Sequence, residues 1–168
     1  MHPSNPDNAR GFTLIELVTV MVILGIISAF AISRFSNVDV FESRGFFEET
    51  LAATRYAHKL AISSGCSIRV QYVDASDTVN LSRWTGGASC ADTVAPVVAV
   101  QLPGGGGNYT LTAPASVDLS TDLTFYFDRV GRPRDTAGNL ITAAAALQVG
   151  IDGRTIQIVP ETGLVIGG

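Results

Sequence analysis

Charge is what this chain has least of. Only 15% of its 168 residues are Asp, Glu, Lys or Arg, leaving a formal net charge of -4 and a pI of about 5.0. That balance excludes a protein whose whole surface grips nucleic acid, while leaving room for a local basic patch. Histidine is nearly absent too. His2 belongs to the polar start of the chain, so His58 is the one available to a site, and it reads as a solvated residue on the exposed margin of a helix with no Ser or Cys partner in sequence. Pro103-Gly104-Gly105-Gly106-Gly107 has no following Lys-Ser/Thr, and Tyr109 spoils a GxGxxG spacing, so it reads as a surface loop rather than a phosphate cradle. Asp118, Asp122, Asp128, Asp135 and Asp152 are scattered without the spacing of a calcium loop. No catalytic residue, cofactor or metal site follows from these residues, and an enzyme is not the expectation.

Cysteine occurs twice, at Cys66 and Cys90, with neither a zinc-type spacing nor a CxxC motif. In an oxidising compartment the pair would close a disulfide; two buried thiols behaving as small hydrophobes are the alternative. The length suits one ordinary globular domain. Hydrophobic residues reach 46%, and the excess is gathered in one stretch.

That stretch lies between Arg10 and Arg34 and reads GFTLIELVTVMVILGIISAFAIS, interrupted by the single charge of Glu16. Roughly 20 apolar residues at ~1.5 Å per residue span a bilayer core, so the run predicts a transmembrane helix. Arg10 and the free amine put positive charge on the cytoplasmic side, which places the rest of the chain in the periplasm. Glu16 is the informative residue, because a carboxylate in a membrane helix costs ~2.5–3.5 kcal/mol. No Lys, Arg or His lies within a turn on its C-terminal side. Cleavage between Gly11 and Phe12 would create an amine four residues before Glu16, on the same helical face. That amine could belong to this chain or to a neighbouring subunit. An ordinary secretory signal ending at Ala29-Phe30-Ala31 fits poorly with an early glutamate and a nearly uncharged leader, and a plain anchor leaves Glu16 unexplained.

Gly11-Phe12-Thr13-Leu14-Ile15-Glu16-Leu17-Val18 resembles the processing and methylation motif of type IV prepilins and type II secretion pseudopilins. The resemblance implies cleavage after Gly11 by a prepilin peptidase/methyltransferase, N-methylation of Phe12, and assembly with other pilin subunits into a filament through Glu16. Gly25 matches a glycine common inside such helices, whereas Ser33 stands where many major pilins carry a bending proline. The implied organisation is a leader over 1–11, a transmembrane, filament-core half-helix over 12–33, an amphipathic half over 34–64, and a head over 65–168.

The residues downstream support that division. From Arg44 to Ala61, Phe46, Phe47, Leu51, Ala53, Ala57, Leu60 and Ala61 recur on one side at a 3.6-residue period, with Glu48, Arg55 and Lys59 opposite. Ser63-Ser64-Gly65 supplies a stop, so one helix of roughly 80 Å is expected from Phe12 to Ser64. Beyond it, Cys66, Ile68, Val70 and Tyr72 alternate with polar residues, as in a half-buried strand. Further strands are expected over 79–84, 97–102, 109–112, 123–127, 147–151, 155–159 and 164–166, with Asp152-Gly153 as a hairpin turn. The fold class is therefore α+β: a long helix packed on an antiparallel β head.

The runs Phe127-Asp128-Arg129-Val130-Gly131-Arg132-Pro133 and Ile156 to Val165 resemble minor pseudopilin H and FimT-like pilins, and the short leader with such a head also resembles a minor pilin of mannose-sensitive haemagglutinin (MSHA) pili. Three functions stay open: a minor pilin that joins or primes a type IV or MSHA-like filament for attachment, a DNA-binding pilin, and a pseudopilin of a type II secretion system. Arg129, Arg132 and Arg134 carry the second. Gly131-Arg132-Pro133-Arg134 matches the Gly-Arg-x-Arg element of DNA-uptake pilins, and guanidinium forks suit phosphate oxygens. The competing expectation is a turn whose arginines pair with Asp128 and Asp135.

Overall fold

The computed structural model describes residues 12–31, 38–84, 90 and 97–168. The chain divides into two compact units, Met1–Val38 and Asp39–Gly168. In the first, helix α1 (Leu14–Ala31) is apolar around its whole circumference. Residues 32–37 lie outside the described residues, so the expected continuity of one helix through Ser33 does too, as does the leader with Gly11.

The second unit begins with α2 (Val38–Ser64). The predicted apolar side is the side that packs: Phe46, Phe47, Leu51, Ala53, Ala57 and Ala61 are buried, with Leu60 half-buried. Two threonines join it unannounced. Thr54 Oγ1 donates to the Thr50 carbonyl at 2.8 Å and shares a hydrogen bond of 2.6 Å with the hydroxyl of wholly buried Tyr72, whose pKa burial pushes well above its ordinary value. The helix ends where expected, with Ser64 Oγ turned back on the Leu60 carbonyl at 2.6 Å and Gly65 at a φ of 65° that a side chain would resist.

Strands β1 (Ile68–Val73), β2 (Thr78–Trp84), β3 (Val97–Ala99), β4 (Thr110–Thr112), β5 (Leu123–Phe127) and β6 (Pro133–Arg134) form an antiparallel sheet of order β3-β2-β1-β5-β6, with β4 also on β2. Its inner face follows from period-2 alternation: Ile68, Val70, Tyr72, Val79, Leu81, Phe125 and Phe127 are buried against α2. A second antiparallel sheet holds β7 (Gln148–Ile151), β8 (Arg154–Ile158) and β9 (Val165–Gly167) in sequential order. Asp152 and Gly153, both at positive φ, turn β7 into β8. Leu147 sits in a short 3₁₀ turn before β7 rather than in the strand. This small sheet is tied to α2 by Arg55 Nε, which donates to the Val165 carbonyl at 3.2 Å, and by Arg154 over the Phe47 ring. The structure pairs Cys66 with Cys90, their Cα atoms 4.6 Å apart, and the Ser67 amide donates to the Cys90 carbonyl at 3.0 Å.

Candidate functional site

The N-terminal site is built on the first turn of α1. Thr13 caps it: its Oγ1 accepts from the Glu16 amide at 3.3 Å, and its carbonyl accepts from the Glu16 and Leu17 amides. Glu16 is thereby fixed at the positive end of the helix dipole. Around it, Phe12, Leu14, Ile15 and every large apolar side chain described up to Ile27 are exposed. Among the described residues no helix is long and apolar enough to cross a membrane; α1 has 18 residues, about 27 Å at the α-helical rise.

The second site is the turn joining β5 to β6. Asp128 organises it: Oδ1 accepts from the amides of Val130 (3.0 Å) and Arg132 (2.9 Å), and Oδ2 accepts from Arg134 Nε at 2.9 Å. Burial works against this carboxylate, but those amides and the Arg134 guanidinium outweigh it and hold its pKa below the usual range. Arg134 also donates through Nη1 to the Gly138 carbonyl at 2.8 Å, so its fork is spent inside the protein. Arg132 Nε stands 3.5 Å from Asp128 Oδ2 and makes no hydrogen bond. Arg129 is exposed. All three arginines line a cleft of about 430 Å³ with Ser67, Tyr126 and Gly138. Asp135, expected to share the pairing, does not: its carboxylate accepts from the amides of Ala137 and Asn139 and from Asn139 Nδ2. It closes its own tight turn, and those bonds lower its pKa. Asp128 alone does the work expected of two.

His58 corrects a further expectation. Instead of standing in solvent, its ring packs edge-on to Phe127 at 5.1 Å, with Nε2 buried and unpartnered. Two glycines from separate turns press on it. A Cβ on Gly131 would fall 2.5 Å from His58 Nε2, and one on Gly163 would fall 1.9 Å from the Gly131 carbonyl oxygen and 3.0 Å from the imidazole. Their φ values of 86° and 70° also suit glycine alone. The two runs singled out by resemblance therefore meet on the helix. Their glycines were the available signal.

Asp118, read as isolated, comes within 4.8 Å of Asp74 and Asp77. Asp77 Oδ1 already accepts from the Leu119 amide at 3.0 Å.

Residues 6–32 match the prokaryotic N-terminal methylation motif. The chain is 43% identical over 53 residues to the type IV narrow pilus major component PilA5 of Thermus thermophilus; that alignment covers 32% of this chain and 46% of the relative, less than half its length. In structure it is similar to the minor pseudopilin EpsH of the Vibrio cholerae type 2 secretion system, with a TM-score of 0.53 and 10% identity over 76% of this chain and 96% of that one. A weaker likeness, with a TM-score of 0.41 and 15% identity over 76% and 88%, is to the type IV minor pilin FimU of Pseudomonas aeruginosa.

Proposed function

We propose that this chain, with its prepilin-type methylation motif and type IV pilin-like α+β fold, is a minor pilin-like subunit of a type IV or MSHA-like filament. In this reading a prepilin peptidase cuts between Gly11 and Phe12 and the new Phe12 amine is methylated. The apolar run over 12–33, of which α1 is the described part, crosses the inner membrane once, the head lies in the periplasm with Cys66 and Cys90 oxidised, and the subunit then packs with other pilins. Glu16 meets the amine of a neighbouring Phe12. One observation carries the proposal: α1 is apolar on all sides, with exposed large apolar side chains up to Ile27 and a single carboxylate in its first turn. Such a helix needs lipid or other helices around it, and its acid needs a cation that the helix does not supply. N-terminal mass spectrometry of membrane-extracted protein tests it. A mature start at N-methylated Phe12 is expected; a start at Ile32 would overturn the proposal.

A second reading, DNA contact, is favoured by the clustering of three arginines on one cleft. It rests on Arg129 and Arg132, because Arg134 is engaged by Asp128 and Gly138. A place in a type II secretion system shares all the processing chemistry and is distinguished by the neighbouring genes.

A further inference from the structure

Two clefts meet at Arg132. Its side chain lines the donor-rich cleft of about 430 Å³, with Ser67, Arg129 and Arg134, and it also lines a second cleft of about 280 Å³. The second is mainly apolar, walled by Leu140, Ile141 and Pro160 together with Thr142 and Glu161. Leu140 is exposed there, while Ile141 is half-buried against the core. The acids of this corner are largely spent. Asp128 gives its oxygens to two amides and to Arg134 Nε, so Arg132 Nε, 3.5 Å from Oδ2, gains its charge but no hydrogen bond. Asp135 spends its carboxylate on Ala137 and Asn139. Glu161 makes no ion pair among the described residues. Nor does any acceptor among them take a side-chain donor of Arg129 or Arg132. Two planar forks of donors are left over, beside an apolar hollow.

We infer that the paired clefts take the C-terminus of a peptide whose last side chain is apolar. The terminal carboxylate sits on Arg132 with Arg129 beside it, and the side chain enters the hollow of Leu140, Ile141 and Pro160. Three features carry this. A guanidinium fork matches a carboxylate with two parallel hydrogen bonds, and capture of a chain end by such donors is a recurring mode of peptide recognition. A terminal carboxylate and its own side chain leave one Cα, and the two clefts likewise share one side chain as a wall. Asp128 lines the first cleft and Glu161 the second, so a single negative charge is admitted where a string of phosphates meets repulsion on both sides. The second cleft also falls below the ~300–1,000 Å³ of a small-molecule site, which suits one side chain better than an acyl tail. The inference does not rest on the filament reading, and it competes with DNA contact for Arg129 and Arg132.

Calorimetric titration of the full chain in a non-ionic detergent provides the test, with N-acetyl-leucyl-leucine and its C-terminal amide as probes. The acid is expected to bind saturably and the amide about tenfold more weakly or worse, because the amide lacks the charge that Arg132 pairs with. Arg132→Gln is expected to weaken the acid by a similar factor. Leu140→Asp is expected to weaken it as well, by placing a carboxylate in the apolar cleft. Neither side chain holds the fold together, since Arg132 makes no side-chain hydrogen bond and Leu140 is exposed, and urea unfolding checks that both variants are folded. Four outcomes overturn the inference: no saturable binding of the acid, equal binding of acid and amide, undiminished binding by folded Arg132→Gln, or equally tight binding of isovalerate, which has the carboxylate and branched chain without the peptide. Displacement of the acid by a single-stranded oligonucleotide, at a lower concentration than the acid itself needs to bind, would also overturn it and assign the clefts to phosphate.

Discussion

The guanidinium of Arg134 donates to Asp128 Oδ2 at 2.9 Å, and through its other arm to the Gly138 carbonyl at 2.8 Å. It locks the β5–β6 turn onto the loop that follows β6. The same carboxylate takes the Arg132 amide, so one buried acid fixes both the backbone of the turn and the side chain beside it.

Asp128→Asn should therefore destabilise the head, by about 2 kcal/mol at pH 7 for lost charge-assisted hydrogen bonds. The pH dependence has a definite sign. The folded-state pKa is lowered, so the carboxylate's stabilisation is present above the unfolded value and lost as pH falls through the folded one. Denaturant unfolding at neutral pH and below roughly pH 4 is the check, and the gap between wild type and variant should narrow in acid.

DNA retardation can be divided among the arginines. Arg129→Gln with Arg132→Gln should remove whatever DNA binding the chain has and leave stability nearly unchanged, because neither side chain makes a hydrogen bond in the turn. Arg134→Gln should instead lower stability by about 1.5–3 kcal/mol. Two phosphate contacts give a log–log salt slope of about -1.8. Equal loss of binding from Arg134→Gln in a fully folded protein would refute this division of roles.

The glycine junction predicts an asymmetry in rescue. Gly131→Ala and Gly163→Ala should each cost more than the ~1 kcal/mol of positive φ alone. His58→Ala should relieve much of the Gly131→Ala cost, since the imidazole is the near neighbour there. It should barely relieve Gly163→Ala, whose Cβ meets a backbone carbonyl that cannot step aside. A double-mutant cycle by urea unfolding measures both.

Glu16→Val should leave the head's stability untouched and insert as well as wild type or better, by a few kcal/mol. Incorporation into filaments should nonetheless fall. Comparing sheared filaments with the membrane fraction checks this, and equal incorporation would count against pairing with the Phe12 amine.

Much of this architecture was legible in residue spacing. α2 announced its buried side because seven apolar residues repeat at 3.6, and β1 announced its own by alternation, whereas β5 buries Phe125, Tyr126 and Phe127 in succession. Strand β6 was not legible: Pro133 and Arg134 alone carry no period, and they are strand only because Phe127 and Tyr126 lie beside them. The environment of His58 was hidden for the same reason, since glycines far away in sequence create it. Arg132 and Arg134 look equivalent in Gly-Arg-Pro-Arg, yet a buried acid and a loop carbonyl claim the second. Nothing local distinguishes them.

The meeting of positions 58, 131 and 163 also bears on time. Contacts this distant in sequence carry a larger loop-closure cost than local ones, so the junction is expected to form after α2 and the β1–β2 hairpin. Interactions absent from the transition state change the unfolding rate and leave the folding rate nearly alone. Opening the junction by substitution should thus shorten the lifetime of the folded head without slowing its formation. On that expectation the two turn glycines set the lifetime of the folded head, which unfolding and refolding rates of Gly131→Ala and Gly163→Ala would measure.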